Sequence, residues 1–275
     1  MTNLAPTITL TGGTPIPAIG VGTWPLDDTE VEAMCHTAFE LGYRLVDTAE
    51  NYGNEAGVGR AVRDSGLPRE DLVVTTKFNR RWHTDAVAGV EANLMRLGLD
   101  HADLVLIHWP NPDQDLYVRA WEGLIEARER GLVRAIGTSN FKPAHLDRII
   151  AATGVAPAVN QIQCNPFTDR PAERAFHAER GILTEAWAPL AAGNGLVEHP
   201  TVAEVAEAHG VSPAQAILAW HVRQGIVPIP KSADPRRLAE NLDVFDVRLT
   251  DADIARLSAL VSDDYGMADS DTFGH

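Results

Sequence analysis

Short apolar runs recur along the chain, and three of them close on a polar residue. Leu45-Val46 leads into Asp47, Leu72-Val73-Val74-Thr75-Thr76 into Lys77, and Leu104-Val105-Leu106-Ile107 into His108. Tyr52 follows the first run by one loop. Apolar runs of about four to six residues read as strands buried on both faces. Packing gives no reason to charge the exit ends of several such strands. An active site on the carboxyl face of a parallel sheet or barrel does.

Between the runs the spacing turns helical. Val31, Met34, Cys35, Ala38 and Leu41 share one face of a helix predicted from Thr29 to Leu41. Thr29 and Glu32 have capping-box spacing at its start, and Gly42 follows its end. Ala18–Val21 is the first strand candidate. Leu45–Thr48, Leu72–Lys77, Leu104–Trp109, Ala135–Asn140, Ala158–Gln163, Leu183–Ala188 and Ile226–Pro230 follow. Helical patterns such as Asp85–Leu97 and Asp115–Arg130 separate most of them. Eight strands alternating with helices over ~250 residues predict an α/β fold of the (β/α)8 TIM-barrel class. The competitor is a doubly wound open sheet, which needs a glycine-rich turn after its first strand. Gly20-Val21-Gly22 lacks the third glycine, and Gly57-Val58-Gly59 sits inside a helical pattern. Neither makes a dinucleotide fingerprint.

Ile8-Thr9-Leu10, Gly12-Gly13 and Pro15-Ile16-Pro17 read as a β-hairpin, placed to plug the bottom of the barrel. Two helical patterns, Thr201–His209 and Pro213–Gln224, lie between the last two strands, and the first of them is an added helix. The tail from Asp263 to His275 is polar, and is either a frayed end or a flap over the site. No internal repeat or linker divides the chain, so residues 1–275 are expected to form one domain.

Composition narrows the function. The net charge is −15, which removes the basic footprint that nucleic acid requires. No apolar stretch approaches the ~20 residues of a membrane span, and Met1–Leu10 lacks the pattern of a secretory signal. The two cysteines, Cys35 and Cys164, are far apart in sequence. They are expected to be reduced, as in a cytoplasm. No Cys/His cluster has metal-ligand spacing. A cytoplasmic monomer acting on a small molecule, without membrane, nucleic acid or metal, is the expectation.

The four polar residues make a chemical set. A Tyr hydroxyl with a pKa of about 10 is a poor acid at neutral pH. An ammonium at Lys77 would lower the pKa of Tyr52, and Asp47 would hold Lys77 charged. His108 could donate a hydrogen bond to a substrate oxygen, so the set could protonate a carbonyl oxygen as charge develops on it. None of the four attacks the carbon, and no serine lies in a nucleophile elbow. Hydride from a bound cofactor fills that gap. Trp187 could stack on a nicotinamide, while Ser139, Asn140 and Gln161 could bond its carboxamide. Lys231 and Arg237, with Ser232, Glu240 and Asn241 near them, suggest a bound phosphate on an otherwise acidic chain. Trp24, Trp82 and Trp109, with Tyr52 and His108, are the candidate substrate-facing residues. Each residue alone has a packing or capping explanation, and clustering at strand ends gives them weight together.

Gly42-Tyr43-Arg44-Leu45-Val46-Asp47-Thr48-Ala49, Tyr52-Gly53-Asn54-Glu55, Leu106-Ile107-His108-Trp109-Pro110, Gly137-Thr138-Ser139-Asn140-Phe141, Asn160-Gln161 and Ile229-Pro230-Lys231-Ser232 are long and ordered motifs. Over nearly its whole length the chain resembles the aldo-keto reductases. The length and the ending Asp271-Thr272-Phe273-Gly274 are similar to the prokaryotic branch that includes 2,5-diketogluconate reductases. The resemblance implies a barrel binding NADPH/NADP+ without a Rossmann domain. It implies a catalytic tetrad of Asp47, Tyr52, Lys77 and His108, with Tyr52 as proton donor. It implies cofactor contacts from Gly22, Thr23, Trp24, Asp47, Ser139, Asn140, Gln161, Trp187, Ala188, Pro189 and Leu190. Lys231, Ser232 and Arg237 would hold the 2′-phosphate, and Glu240 and Asn241 the adenine. The implied reaction is reduction of aldehydes or ketones, dicarbonyls included, to alcohols. Two departures stand out. Gln163-Cys164-Asn165-Pro166 replaces a common Glu-Tyr-His-Pro, and Trp187 replaces the usual stacking Tyr. Two other readings stay open: a nucleotide-sensing binding protein, and a barrel aldolase using Lys77 as a Schiff base.

Overall fold

The computed structural model describes residues 4–262 and 265–275. Met1–Asn3 and Asp263–Asp264 lie outside the described residues, so the expectation for the tail bears on Tyr265–His275. Strands β1 (Thr7–Thr9) and β2 (Pro15–Pro17) form the expected antiparallel hairpin, with Ile8 paired to Ile16. Eight parallel strands follow: β3 (Val21–Gly22), β4 (Leu45–Asp47), β5 (Val73–Phe78), β6 (Ala102–Ile107), β7 (Val133–Ser139), β8 (Val159–Gln163), β9 (Leu183–Trp187) and β10 (Val227–Pro228). Each pairs with the next in chain order. The first and last are shorter than their apolar runs suggest, because they meet only through isolated bonds. Gly20 N–H donates to Pro228 O and Gly22 N–H to Pro230 O, both at 3.1 Å, and these bonds close the barrel. A β-carbon on Gly20 would lie 2.6 Å from Leu45 Cγ, so the closing seam needs glycine.

The alternation along each strand sorts its residues. On β6, Leu104 and Leu106 point into the barrel, whereas Val105 and Ile107 pack under the helices. Leu45, Ala135, Val159 and Val227 join the interior layer, and Leu10 and Ile16 of the hairpin cap it from below. Ile16 is fully buried. Burial of such a side chain is worth about 1.5–3 kcal/mol, which ties the hairpin to the barrel floor.

The helices are α1 (Asp28–Leu41), α2 (Glu55–Asp64), α3 (Ala86–Leu97), α4 (Tyr117–Glu129), α5 (Pro143–Thr153), α6 (Pro171–Glu179), α7 (Pro200–His209), α8 (Pro213–Arg223), α9 (Pro235–Leu242) and α10 (Asp251–Ser258). Helix α7 is the expected addition ahead of α8. Helix α1 starts earlier than its capping-box spacing implied. Asp27, not Thr29, is the N-cap, and Glu30 returns the bond to the Asp27 N–H at 3.1 Å. Thr29 and Glu32 lie inside the helix, where Glu32 instead meets Arg60 at 2.7 Å. Gly57 and Gly59 belong to α2 and serve packing. A side chain on Gly57 would strike the Asp28 carbonyl of α1, and one on Gly59 the Leu97 carbonyl of α3. Among the described residues no helix is long and apolar enough to cross a membrane, and no cluster of side chains could hold a metal ion.

Candidate active site

The inward parity of the strands sets the site. Asp47 lies two residues after Leu45, Lys77 two after Thr75, and His108 two after Leu106. Ser139 lies two after Gly137, and Gln161 two after Val159. All therefore point into the barrel at its carboxyl end. Four of these residues and Tyr52, carried on the loop after β4, line a cavity of about 550 Å³. Lys77 lies behind its wall and is wholly buried.

The Lys77 ammonium uses all three of its donors. It reaches Asp47 Oδ1 at 2.6 Å, the Thr48 carbonyl at 3.0 Å and the Tyr52 hydroxyl at 3.5 Å. Burial alone would depress its pKa, but Asp47 and Tyr52 outweigh that and raise it. Lys77 is therefore a fixed cation. From the motif alone this charge is expected to bring the Tyr52 pKa down. Lys77 does lower it, but burial is the larger effect and Asp47 adds to it, so Tyr52 ends above its ordinary value. The phenol keeps its proton at neutral pH. Its oxygen accepts from Lys77, and it donates to no acceptor among the described residues, so its O–H is free for an occupant of the cavity.

His108 is neutral, because burial, with the Lys77 charge added, holds its pKa well below the usual value. Its Nδ1 stands 3.3 Å from Asn79 Oδ1. The side of the Asn79 amide that faces Nδ1 decides which ring nitrogen carries the proton, and so whether Nε2 is a donor. Asn79 was not foreseen, and in sequence it is only one more loop residue.

Asn140 sits in the left-handed region at φ 64°. Its Nδ2 donates to the His108 carbonyl at 3.1 Å and to Ser139 Oγ at 3.0 Å. Its Oδ1 accepts from Trp187 Nε1 at 2.8 Å, which holds the indole plane at the cavity wall. A tyrosine has no ring N–H for that bond. Gln161 Nε2 donates to Asp47 Oδ2 at 2.9 Å and to Glu185 Oε2 at 2.8 Å. Both amide hydrogens are engaged, which leaves Gln161 Oε1 as its acceptor toward the cavity. Glu185 is fully buried, and burial reinforced by the Asp47 charge pushes its carboxyl up to about 8. Glu185 is not among the residues expected at the site. The signal was a carboxylate at an inward position of Leu183-Thr184-Glu185-Ala186-Trp187.

Gly22, Thr23, Trp24, Ala188, Pro189, Leu190 and Lys231 also line the cavity. Ser232, Arg237, Glu240 and Asn241 do not. Ser232 Oγ accepts the Asp234 N–H at 3.1 Å, and the other three lie on α9. Arg237 is exposed, and neither it nor Lys231 forms an ion pair among the described residues. Trp24 and Trp109 reach the cavity, and Trp24 is 61% exposed, leaving a free aromatic face at its mouth. Trp82 stays outside. Its indole N–H bonds Glu50 at 3.0 Å and its ring packs over Gly89.

The tail is the flap, not the frayed end. Lys142 bonds Asp269 at 2.6 Å and Asp271 at 2.5 Å. Phe273 packs edge-on to Trp109 at 4.8 Å, and His275 to His108 at 5.1 Å. His275 therefore forms part of the cavity wall, a contact that no local pattern announces. Cys164 is buried beside α8 and accommodates the altered motif without reaching the site. Both cysteines are free thiols, pushed up to about 12 by burial.

Comparison with known proteins places the chain in a family. The chain is 48% identical over 257 residues to 2,5-diketo-D-gluconic acid reductase B of Corynebacterium sp. (strain SHS752001), covering 93% of each. It is 41% identical over 271 residues to methylglyoxal reductase DkgA of Escherichia coli (strain K12), covering 97% of this chain and 98% of the relative. The crystal structure of a Gox0644 point mutant in complex with NADPH superposes with a TM-score of 0.92 at 39% identity, covering 98% of both chains. Residues 18–262 match the model of the aldo/keto reductase family. With a barrel, a buried Asp–Lys pair and a tyrosine at the cavity wall as well, the chain belongs to the aldo/keto reductase family.

Proposed function

We propose that this aldo-keto reductase reduces aldehydes and ketones, dicarbonyls among them, with NADPH, and that Tyr52 is the proton donor. One observation carries the reading. Tyr52 faces the cavity with a hydroxyl that accepts from Lys77 at 3.5 Å and has no acceptor for its own proton among the described residues. A carbonyl oxygen in the cavity is the partner that completes it.

The residues suit a dinucleotide. Trp187 offers a ring face with its orientation locked by Asn140. Ser139, Asn140 and Gln161 offer polar groups beside it, and the free Gln161 Oε1 suits a carboxamide N–H. Lys231 and Arg237, free of ion pairs among the described residues, suit the 2′-phosphate, with Ser232 beside them and Glu240 and Asn241 toward adenine. Gly22 keeps the wall shallow near Ile229 and Lys231. NADPH supplies hydride when bound, and the Gox0644 complex supports that choice.

The remaining chemistry belongs to the chain. Tyr52 gives its proton to the carbonyl oxygen. Lys77 stabilises the phenolate left behind, and Asp47 keeps Lys77 charged and in place. His108 orients the carbonyl when the Asn79 amide leaves the proton on Nε2. Trp24, Trp109 and the tail residues Phe273 and His275 shield the cavity mouth from water. The buried Lys77, with three donors engaged, has no free amine for a Schiff base, which weighs against an aldolase. Cys35 and Cys164 lie in separate core clusters, so a reducing compartment such as the cytoplasm, the one proposed here, withholds no disulfide from this fold.

The test is NADPH consumption with a panel of aldehydes, ketones and dicarbonyls. Turnover is expected. Tight NADPH binding with no turnover on any carbonyl would favour a nucleotide-sensing protein instead.

A further inference from the structure

Three ionisable groups are buried at the carboxyl end of the barrel: Asp47 in the cavity wall, and Lys77 and Glu185 behind it. Gln161 and Glu185 are register partners on β8 and β9. One nitrogen, Gln161 Nε2, bonds Glu185 on one side and Asp47 on the other, at 2.8 and 2.9 Å. Asp47 is matched by the only cation of the set. Glu185 is not, and its Oε1 is buried without a partner among the described residues. Leaving an ionised carboxylate so poorly solvated is far costlier than leaving a neutral acid there. Two carboxyls and one ammonium in such a space favour one proton shared by the carboxyls, and it rests on the one without the lysine.

We propose that Glu185 is a positioning residue: held as a neutral acid against Gln161, it leaves Asp47 to Lys77, and its ionisation weakens Tyr52 as a proton donor. The proposal rests on the carbonyl-reductase reading of the same site. The charges acting on Glu185 are Asp47 across the barrel on β4 and Lys77 on β5, with Tyr52 beyond Lys77. Its strand neighbours, Gln161 on β8 and Val227 on β10, do not titrate. When the Glu185 proton leaves, a second negative charge reaches Lys77 and, through it, Tyr52. Both then hold their protons more tightly. A tighter phenol is a weaker acid, so reduction slows as pH rises through this ionisation.

Two measurements test the proposal, and the first needs no activity. Infrared titration of the wild-type protein should retain a protonated-carboxyl band above pH 6, where exposed carboxyls are ionised, and lose it as pH rises further. Glu185→Gln keeps the shape and a hydrogen-bonding oxygen for Gln161, and should remove that band. The second is the pH profile of kcat for carbonyl reduction. Glu185→Gln should keep kcat at pH 6 within about threefold of wild type and move the alkaline limb up by about one unit or more. A purely structural role would lower kcat equally at every pH. Absence of the band in the wild type, or superimposable profiles for the two proteins, overturns the proposal. If no carbonyl turns over at all, the reductase reading fails, and the infrared titration still decides the state of Glu185.

Discussion

The Lys77 ammonium lies 3.5 Å from the Tyr52 hydroxyl and 5.1 Å from the centre of its ring. One cation thus meets the phenol at its oxygen, beyond the edge of the ring, a favourable contact. The arrangement fixes the direction of the Tyr52 lone pair and leaves its proton aimed elsewhere. Tyr52 also meets His108 edge-on at 5.9 Å, which seats the ring.

Tyr52→Phe keeps the ring and its edge contact with His108 but removes the acid. Turnover should fall by about 10²–10⁴, while NADPH affinity stays close to wild type. Steady-state kinetics and a binding titration on both proteins check this, and near-normal turnover would remove Tyr52 from the mechanism.

Lys77→Met should be nearly as damaging, and for two reasons. The Tyr52 pKa loses the one neighbour that lowers it. Asp47 is left in a buried site, where an abandoned partner typically costs about 3–5 kcal/mol. Urea unfolding should show an earlier midpoint along with lost activity. An unchanged midpoint would mean that water replaces the ammonium without cost.

Arg237→Ala separates the two nicotinamide cofactors. A charge-assisted bond to a 2′-phosphate is worth about 1.5–3 kcal/mol, or about ten- to a hundredfold in affinity. NADPH binding should weaken by that factor and NADH binding stay nearly constant, read by tryptophan fluorescence. Equal weakening of both would assign Arg237 to the shared adenosine or to α9 itself.

Stability should peak near pH ~6.5. Burial holds His83, His177 and His221 at about 4, so below 6.5 the unfolded chain takes up protons that the folded chain refuses. Each contributes about 3 kcal/mol that is present above pH 6.5 and lost as pH falls toward 4. Glu185 has the opposite sign. Its raised pKa favours folding at low pH, and that contribution is lost as pH rises toward 8. Three histidines outweigh one carboxyl below 6.5, and Glu185 acts without them above it. Urea midpoints at pH 4.5, 6.5 and 8 should therefore be highest at 6.5. A midpoint that rises steadily to pH 8 contradicts the buried neutral acid.

Gly59→Ala should destabilise the fold although α2 is a helix, where alanine is ordinarily favoured. The new methyl would strike the Leu97 carbonyl at the end of α3. Overpacking of this kind costs about 1–3 kcal/mol or more. A lower thermal midpoint is expected, and a higher one would mean that α2 and α3 separate freely.

What the sequence determined by itself follows from local rules. Apolar runs and helical spacing are properties of neighbouring residues, and from them the eight strands, the hairpin, the added helix and the polar exit ends were legible. Local rules also misled where two patterns compete. Asp27/Glu30 and Thr29/Glu32 have the same spacing, and only the path of the chain from β3 into α1 selects the first. The tertiary structure alone decided which residues meet. Asp47, Lys77, Gln161 and Glu185 come from four strands, and barrel closure through Gly20 and Gly22 brings them to one depth. Whether Trp82 faces the cavity, and whether His275 returns to His108 across most of the chain, depends on loop paths that carry no periodicity. The Tyr52 pKa was decided the same way. The lysine beside it was foreseeable from motif, but the burial that outweighs that lysine exists only once the barrel has closed around both.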